Sequence, residues 1–515
     1  MTDREVARRT RQLDPSTKRT IIACVAVVLL VSLIYVFFGS TGTFHQERWP
    51  DDYYDRICEG FRAGHLYIKE LPSRALLSKA DPYDRRWTRL GLWDASLYGG
   101  HYYLYWGPVP ALFMLAFKTL TGSHEVITDQ WPTVIFMVGR LCAGAALLVS
   151  IATRPKQRQP TWICALAIAV FGLANPLPYI VARPWVYEAS LTGAQCFAFW
   201  GLLFAFWGME LPGFRRRLFV AASIAWALAI GCRVTSFVSV PLAMLATLVL
   251  SSHRTNRSWK TLLADALALG VPVAFAIGAY AWYNYARFHS PSEFGVSYMI
   301  TLQPFAGKKA YIIPNVFSYL FAPVVWSCHF PFVRIITFRP LSSLIHWPAG
   351  YQVFEKAGGI MLTAKWCWLT VLCVVRLVAY IRQRLSVSGL PSLARFSRAE
   401  AWGLWCSLSL VASMGPVLIL WEASMRYAGD AVGGIVLAAT IGAFGLFRWT
   451  IRERRRVFGA LARVLVLALG LQTCVVGALA AFTTSDEPIR TQNPRLYHRL
   501  EKSLSLCESP DVTRR

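Results

Sequence analysis

The sequence predicts an all-α polytopic membrane protein, with about eleven transmembrane helices and a long first extracytoplasmic loop. Three observations lead there. Hydrophobic residues make up 55% of the chain and charged ones 16%, with a mean hydropathy of +0.41, which is too much continuous apolar sequence for a water-soluble core. Ile21 to Phe38 is an uncharged run of 18 residues, long enough to cross about 30 Å of hydrocarbon. The net charge of +25 sits in the connections between apolar segments, at Arg4 to Arg19, Arg154 to Arg158, Arg215 to Arg217, Arg254 to Lys260, Arg382 to Arg398 and Arg448 to Arg456. That spacing is the positive-inside pattern of a multi-pass protein rather than a nucleic-acid-binding surface.

Taken in order, the first apolar run follows a basic stretch and precedes "GSTGTFHQ", which lacks an A-x-A cleavage site. It reads as a retained helix and not a secretory signal. Placing each basic cluster in the cytoplasm gives spans near 20–39, 131–152, 162–181, 186–209, 218–232, 234–251, 262–285, 358–381, 401–421, 431–448 and 457–482. Residues 1–19 become a cytoplasmic N-terminus in a plasma-membrane protein. Residues 20–482 form one transmembrane domain and 483–515 an extracytoplasmic tail. The segment from Tyr103 to Gly122 is apolar as well, but a crossing there would put Arg154 and Arg158 outside. It is laid against the outer membrane face, with Pro108 and Pro110 interrupting its helix. Two outer loops result, at roughly 40–130 and 286–357, and no polar segment is long enough for a separate soluble domain.

The twelve cysteines show no CxxC. Most, including Cys24, Cys142, Cys164, Cys196, Cys367 and Cys474, lie inside apolar segments as small hydrophobes. Cys58, Cys328 and Cys507 fall outside, where one disulfide is open to them. The outer histidines lack zinc-site spacing, and a divalent metal, though compatible with the acids, is not indicated. Nucleotide-binding glycine loops are missing.

Carboxylates in outer loops and arginines at outer helix ends are the candidates for chemistry. Asp51 and Asp52, ahead of "YYDRICEGFRAG", either take a proton from an attacking hydroxyl or cap that amphipathic helix. Asp94, in "LGLWDASLYGGHYYLYWGPVPA", is brought back by the Gly-Gly turn together with Tyr102 and Tyr103. It serves as a second acid, or else stabilises the turn. Arg183, Arg233, Arg287 and Arg426 stand against the charge bias, so each needs a local reason. A polyprenyl phosphate supplies one, because guanidinium forks match phosphate oxygens. Ion pairs supply the other: Glu188 for Arg183, Glu293 for Arg287, and Glu422 or Asp430 for Arg426. A long acidic, aromatic outer loop suits a membrane enzyme that takes one substrate from water and one from the bilayer. A carrier more often shows related halves.

The layout of a first helix, a long outer loop with an acid soon after it, a membrane-parallel Pro-containing helix and then many spans, which carries the patches "DDYYDRICEGFRAGHLYI", "DASLYGGHYYLYWGPVPALF", "WYNYARFHSPSEFGVSY" and "MRYAGD", resembles the GT-C superfamily of integral-membrane glycosyltransferases. That superfamily includes protein mannosyltransferases and the lipid A aminoarabinose transferase. More specifically, the patches are similar to bacterial polytopic proteins described as glycosyltransferase-like. The resemblance covers residues 51 to 430 and carries over one residue, the acid before a Tyr and an amphipathic helix, which is Asp51 or Asp52 here. The chain departs at that acid, since "DDYY" leaves fewer residues between Asp and Tyr than the commoner arrangement. What the resemblance implies is inverting transfer of a sugar from a polyprenyl-phosphate-linked donor to a glycan, lipid or protein acceptor at the outer face. Membrane lipids are partners in that scheme and nucleic acid is not. The rival readings are a transporter or flippase for lipid-linked saccharides, and a polysaccharide polymerase or ligase.

Overall fold

The computed structural model describes residues 14–45, 52–155, 157–252, 258–301, 307–337, 347–352, 355–385, 396–452 and 456–507. Helix α1 (Pro15–Gly39) begins on a proline at its first turn, where the missing N–H costs nothing. The first outer loop then builds α2 (Tyr53–Arg62), the short α3 (Arg74–Leu77), a hairpin of β1 (Ser96–Tyr98) and β2 (His101–Tyr103), and α4 (Val109–Thr121). The bundle continues with α5 (Gln130–Ala152), α6 (Thr161–Leu173), α7 (Leu177–Val181), α8 (Val186–Glu210), α9 (Arg215–Cys232), α10 (Ser236–Ser252) and α11 (Trp259–Phe288). The second outer loop carries α12 (Ile312–Phe321) and a hairpin of β3 (Val324–Trp326) and β4 (Val333–Ile335). After it come α13 (Ile360–Thr363), α14 (Thr370–Leu385), α15 (Arg398–Ala412), α16 (Gly415–Leu418), α17 (Met425–Arg452), α18 (Arg456–Ala480), α19 (Pro488–Gln492) and α20 (Pro494–Leu504).

Every predicted span is helical, yet among the described residues seven helices are long and apolar enough to cross a membrane by themselves. The remaining predicted spans are short or broken. The 162–181 segment divides into α6 and α7 ahead of Pro176, and 358–381 divides into α13, a 3₁₀ turn at Lys365–Leu369 and α14. Broken helices survive at membrane depth where neighbouring helices satisfy the freed backbone groups. The chain is an integral membrane protein.

At the centre lie α8 and α17, enclosed almost all round, while α1 and α11 turn most of their residues outward. A Cβ at Gly434 would fall 2.5 Å from the Ser407 carbonyl oxygen, so α15 and α17 approach as closely as they do because that position is glycine. Three of the basic connections, at Arg154, Arg215 and Arg448, reach one end of the bundle, where Arg376 of α14 also lies. There Arg154 pairs with Glu210 at 3.0 Å, Arg215 with Asp265 at 2.8 Å, and Arg376 with Glu400 at 3.0 Å, beside Arg448.

The outer loops gather at the opposite end. At 13 residues, α4 is about 20 Å long and too short to span the hydrocarbon. It shows Leu112, Phe113, Phe117 and Leu120 to the exterior and packs its inner face on α2. Lys118 is buried between the two helices, 2.6 Å from Asp55 and 2.8 Å from Glu59. Gly107 lets the loop before α4 rest on α9, since a Cβ there would run into the Gly231 carbonyl. Of the three outer cysteines, Cys328 and Cys507 form a disulfide with Cα atoms 5.6 Å apart, which joins the second outer loop to the tail. Cys58 is free and buried.

Substituting Lys118 by Met leaves Asp55 and Glu59 facing an apolar side chain, one of them deeply buried. Breaking a buried pair in this way costs about 3 kcal/mol. The expected outcome is a lower thermal unfolding midpoint in detergent, and an unchanged midpoint would show that this ion pair does not hold α4.

Candidate active site

The hairpin of the first outer loop is the frame of the site. Its strands pair Ser96 with Tyr103, Leu97 with Tyr102 and Tyr98 with His101, around Gly99 and Gly100 at φ +55° and +78°. Two consecutive positive φ values are the signature of a tight hairpin turn that favours glycine. Asp94 lies just before the hairpin, itself in the left-handed region at φ +53°, which aspartate tolerates better than most residues. Its N–H donates to the Ile300 carbonyl at 2.8 Å and the Ile300 N–H donates to the Ala95 carbonyl at 2.9 Å. The two outer loops thereby clamp Asp94 from both sides.

The Asp94 carboxylate accepts a hydrogen bond from the Tyr187 hydroxyl, in the first turn of α8. The Tyr187 ring in turn lies under the Arg426 guanidinium, 4.4 Å from centroid to carbon. All three residues line a cavity of about 290 Å³ whose walls include Trp93, Tyr105, Trp185 and Glu355. Burial pushes the Asp94 carboxyl above its usual range, partly opposed by hydrogen bonds from Tyr187 and Thr301 and by the Arg426 charge.

Arg426 Nη1 lies 2.6 Å from Glu355 Oε1. Arg183 Nη1 is 3.6 Å from the same oxygen and 3.7 Å from Glu188, while its Nε donates to Asp486 at 2.7 Å. Burial raises the Glu355 carboxyl, but the two guanidiniums and the Ser424 hydroxyl outweigh it and hold the group down to about 2. Glu188 is buried behind Arg183, and its Oε2 has no hydrogen-bond partner among the described residues.

The cavity thus brings together Asp94, Arg183 and Arg426, with Glu188 behind them, from the residues expected to matter. Others lie elsewhere. Arg233 forms a two-pronged pair with Asp430, its Nε at 3.0 and 3.2 Å and its Nη2 at 2.9 Å. That fork takes both Asp430 oxygens, and Glu422, which lines the cavity, accepts from the Glu355 N–H at 2.9 Å, while Arg426 pairs with Glu355. Arg287 is buried with no carboxylate within 4.0 Å among the described residues. It donates to the Leu104 carbonyl at 2.7 Å and to Asn284 at 2.8 Å, and stacks on Tyr283 and Phe288. Its expected partner Glu293 instead accepts from Gly295 and Ser297. Tyr102 is buried in the loop's own core, where its hydroxyl accepts from the Leu92 N–H at 3.2 Å, and Tyr103 is buried against Phe288 of α11.

Asp52 occupies the N-cap position of α2 without making a capping bond. Its carboxylate accepts from Arg56 at 2.6 Å, one turn on, and does not line the cavity. Asp51 lies outside the described residues. Among the described residues no group of three or more His, Cys, Asp or Glu side chains is arranged to hold a metal ion.

Several cavity residues went unnoticed in the sequence, Trp93, Tyr105, Trp185, Tyr187 and Glu355, as did Asp486, the partner of Arg183. For Glu355 a signal existed, because it is the sole acid between Glu293 and Glu400.

No protein-family model matches the chain, and no curated protein matches it in sequence. Solved structures do match in shape. The apo oligosaccharyltransferase of Archaeoglobus fulgidus superposes over 96% of this chain with a TM-score of 0.50 at 13% identity. The chain shares the fold of the matched part of that protein. The match takes in 61% of the archaeal protein, so the chain spans about three fifths of its length. ArnT from Cupriavidus metallidurans, bound to undecaprenyl phosphate, superposes over 95% of this chain and 81% of that one at 13% identity, with a TM-score of 0.44, too low to build on. In this fold the cavity sits where both outer loops close over the ends of α8 and α17.

Replacing Arg287 by Leu strips the donor from the buried Leu104 carbonyl, the first residue after the hairpin. An unpaired buried acceptor costs about 1–3 kcal/mol. A drop in detergent thermal stability is therefore expected, and a variant as stable as the parent would remove Arg287 from the framework.

Proposed function

We propose that the chain is a membrane glycosyltransferase that moves a sugar from a polyprenyl-phosphate donor to an acceptor hydroxyl at the extracytoplasmic face, with inversion. The observation that carries the reading is the contact through Tyr187, whose hydroxyl meets Asp94 and whose ring meets Arg426. A proton acceptor and a phosphate-matching cation thus lie one side chain apart in a single aromatic cavity. Asp94 takes the proton of the attacking hydroxyl. Arg426, with Arg183 beside it, neutralises the phosphate as it departs, and this is the largest contribution to the rate. The aromatic walls offer faces on which sugar C–H groups stack.

Inversion follows from a single displacement, in which the acceptor oxygen attacks opposite the breaking bond to phosphate oxygen. Asp52 supports the loop through Arg56 in this scheme, and Arg233 and Arg287 hold the helix ends. The N-terminus lies in the cytoplasm and the chain in the plasma membrane. This siting agrees with the gathering of Arg154, Arg215, Arg376 and Arg448 at the end of the bundle away from the cavity. Acceptors of the reading are a glycan, a lipid or a protein. Transfer is favoured over transport because Tyr187 places the Asp94 carboxylate one side chain from Arg426, so that an attacking hydroxyl and a departing phosphate can meet in one cavity.

Asp94→Asn is expected to lower sugar transfer in membranes by about 10²–10⁴-fold, whereas Asp52→Asn keeps most of it. Full activity in the Asp94 variant would remove the base. The pH dependence carries a sign as well. Asp94 acts when ionised, and its carboxyl is raised, so activity rises with pH through an acid limb above the ordinary aspartate range. Tyr187→Phe removes a hydrogen bond that favours the ionised form. The limb then moves to higher pH, and a limb that stays in place in that variant would separate it from Asp94.

A further inference from the structure

The cavity already contains an anion of its own. Glu355 Oε1 serves both Arg426, at 2.6 Å, and Arg183, at 3.6 Å. Its other oxygen accepts from the Ser424 hydroxyl, and its backbone N–H donates to Glu422 at 2.9 Å. One carboxylate is thus shared between two guanidiniums, as an anionic ligand would be. Nor is it sealed in protein, for 21% of the Glu355 side chain is exposed, against 14% for Arg426 and 9% for Arg183. The arginines differ in what else they hold. Arg183 keeps Asp486 and Glu188, while among the described residues Glu355 is the only carboxylate within 4.0 Å of Arg426. Glu355 also belongs to no helix or strand, so its contacts and not an element fix its side chain.

We propose that Glu355 is a resident anion standing in the phosphate position of the cavity, and that donor phosphate binds by displacing its carboxylate from Arg426. This rests on the phosphate reading given above. The exchange keeps charge balanced, because one anion leaves Arg426 as another arrives and the guanidinium is never bare. A phosphate group offers separate oxygens to the two forks where the carboxylate now offers one. Before the donor enters, Glu355 screens the two arginines from each other. After transfer, its return to Arg426 helps to expel the lipid phosphate product. The competition lowers apparent donor affinity in proportion to the time Glu355 spends on Arg426.

Binding of undecaprenyl phosphate to the purified full-length chain in detergent tests the exchange, with Glu355→Gln, Ser424→Ala and Arg426→Ala compared against the parent. Glu355→Gln is expected to bind on the order of tenfold more tightly, and Ser424→Ala more tightly by a smaller factor. Arg426→Ala binds more weakly. Unchanged or weaker binding in the Glu355 and Ser424 variants, with Arg426→Ala still weakened, overturns the exchange and leaves the phosphate reading standing. Equal binding by the parent and Arg426→Ala overturns the phosphate reading itself. Should Glu355→Gln not fold, Ser424→Ala decides alone, because it loosens the carboxylate without removing a charge.

Discussion

Tyr187 presents its ring to Arg426 and its hydroxyl to Asp94, and nearly everything else at the outer end of the bundle serves to keep those three in register. The tyrosine comes from the first turn of α8, the arginine from the first turn of α17, and the aspartate from a loop. Since α8 and α17 are the most enclosed of the seven long apolar helices, two of the three partners ride on the buried centre of the bundle. The third has to be brought to them. A loop carboxylate held against a buried aromatic hydroxyl loses water on one side and gains a donor. Burial raises its proton affinity, while the tyrosine hydroxyl fixes its direction and favours the ionised form.

The means of bringing Asp94 into place are structural and lie away from the cavity. Lys118 ties α4 to α2 through two carboxylates, which gives the first outer loop a core of its own around Tyr54, Leu97 and Tyr102. Arg287 reaches out of α11 to the carbonyl of Leu104, so the end of the hairpin is anchored to the bundle. The Ile300 and Ala95 backbone bonds then stitch the second outer loop to the first. Each of these contacts satisfies a buried polar group that would otherwise cost stability. Precision at Asp94 is a by-product of that satisfaction.

Much of this was legible in the sequence. The spans followed from hydropathy and from the placement of arginines. The siting of α4 off the spanning path followed from one charge constraint, and the Gly-Gly turn announced the hairpin that carries Asp94. Arg183 and Arg426 were found because they broke the positive-inside bias. That same signal also picked out Arg233 and Arg287, which it could not separate from the cavity pair. Pairing depends on which carboxylate lies across a helix interface, and no local pattern encodes that. Asp430, four residues after Arg426 and one of its two expected partners, turns to Arg233 at the end of α9, almost two hundred positions earlier. Glu355 was hidden for a related reason, since it lies 71 residues before Arg426 in a stretch without periodicity. At Asp52 the local reading went to the helix N-terminus and missed the nearer fact of Arg56 one turn along.

Buried arginines occur at both ends of the bundle, and the contrast between them separates a structural ion pair from a site. At the basic end, Asp265 and Glu400 are 1% and 2% exposed, so their arginines are neutralised by carboxylates sealed from solvent. Such a pair is closed, because any competing anion would have to enter a packed interior and displace a desolvated partner. At the outer end Arg426 also has a carboxylate, but Glu355 faces a cavity and sits on irregular backbone. Water or a ligand can reach it without unpacking a helix. The same chemistry of guanidinium and carboxylate therefore locks one end and leaves the other open to exchange, and what decides between them is whether the acid has a cavity beside it.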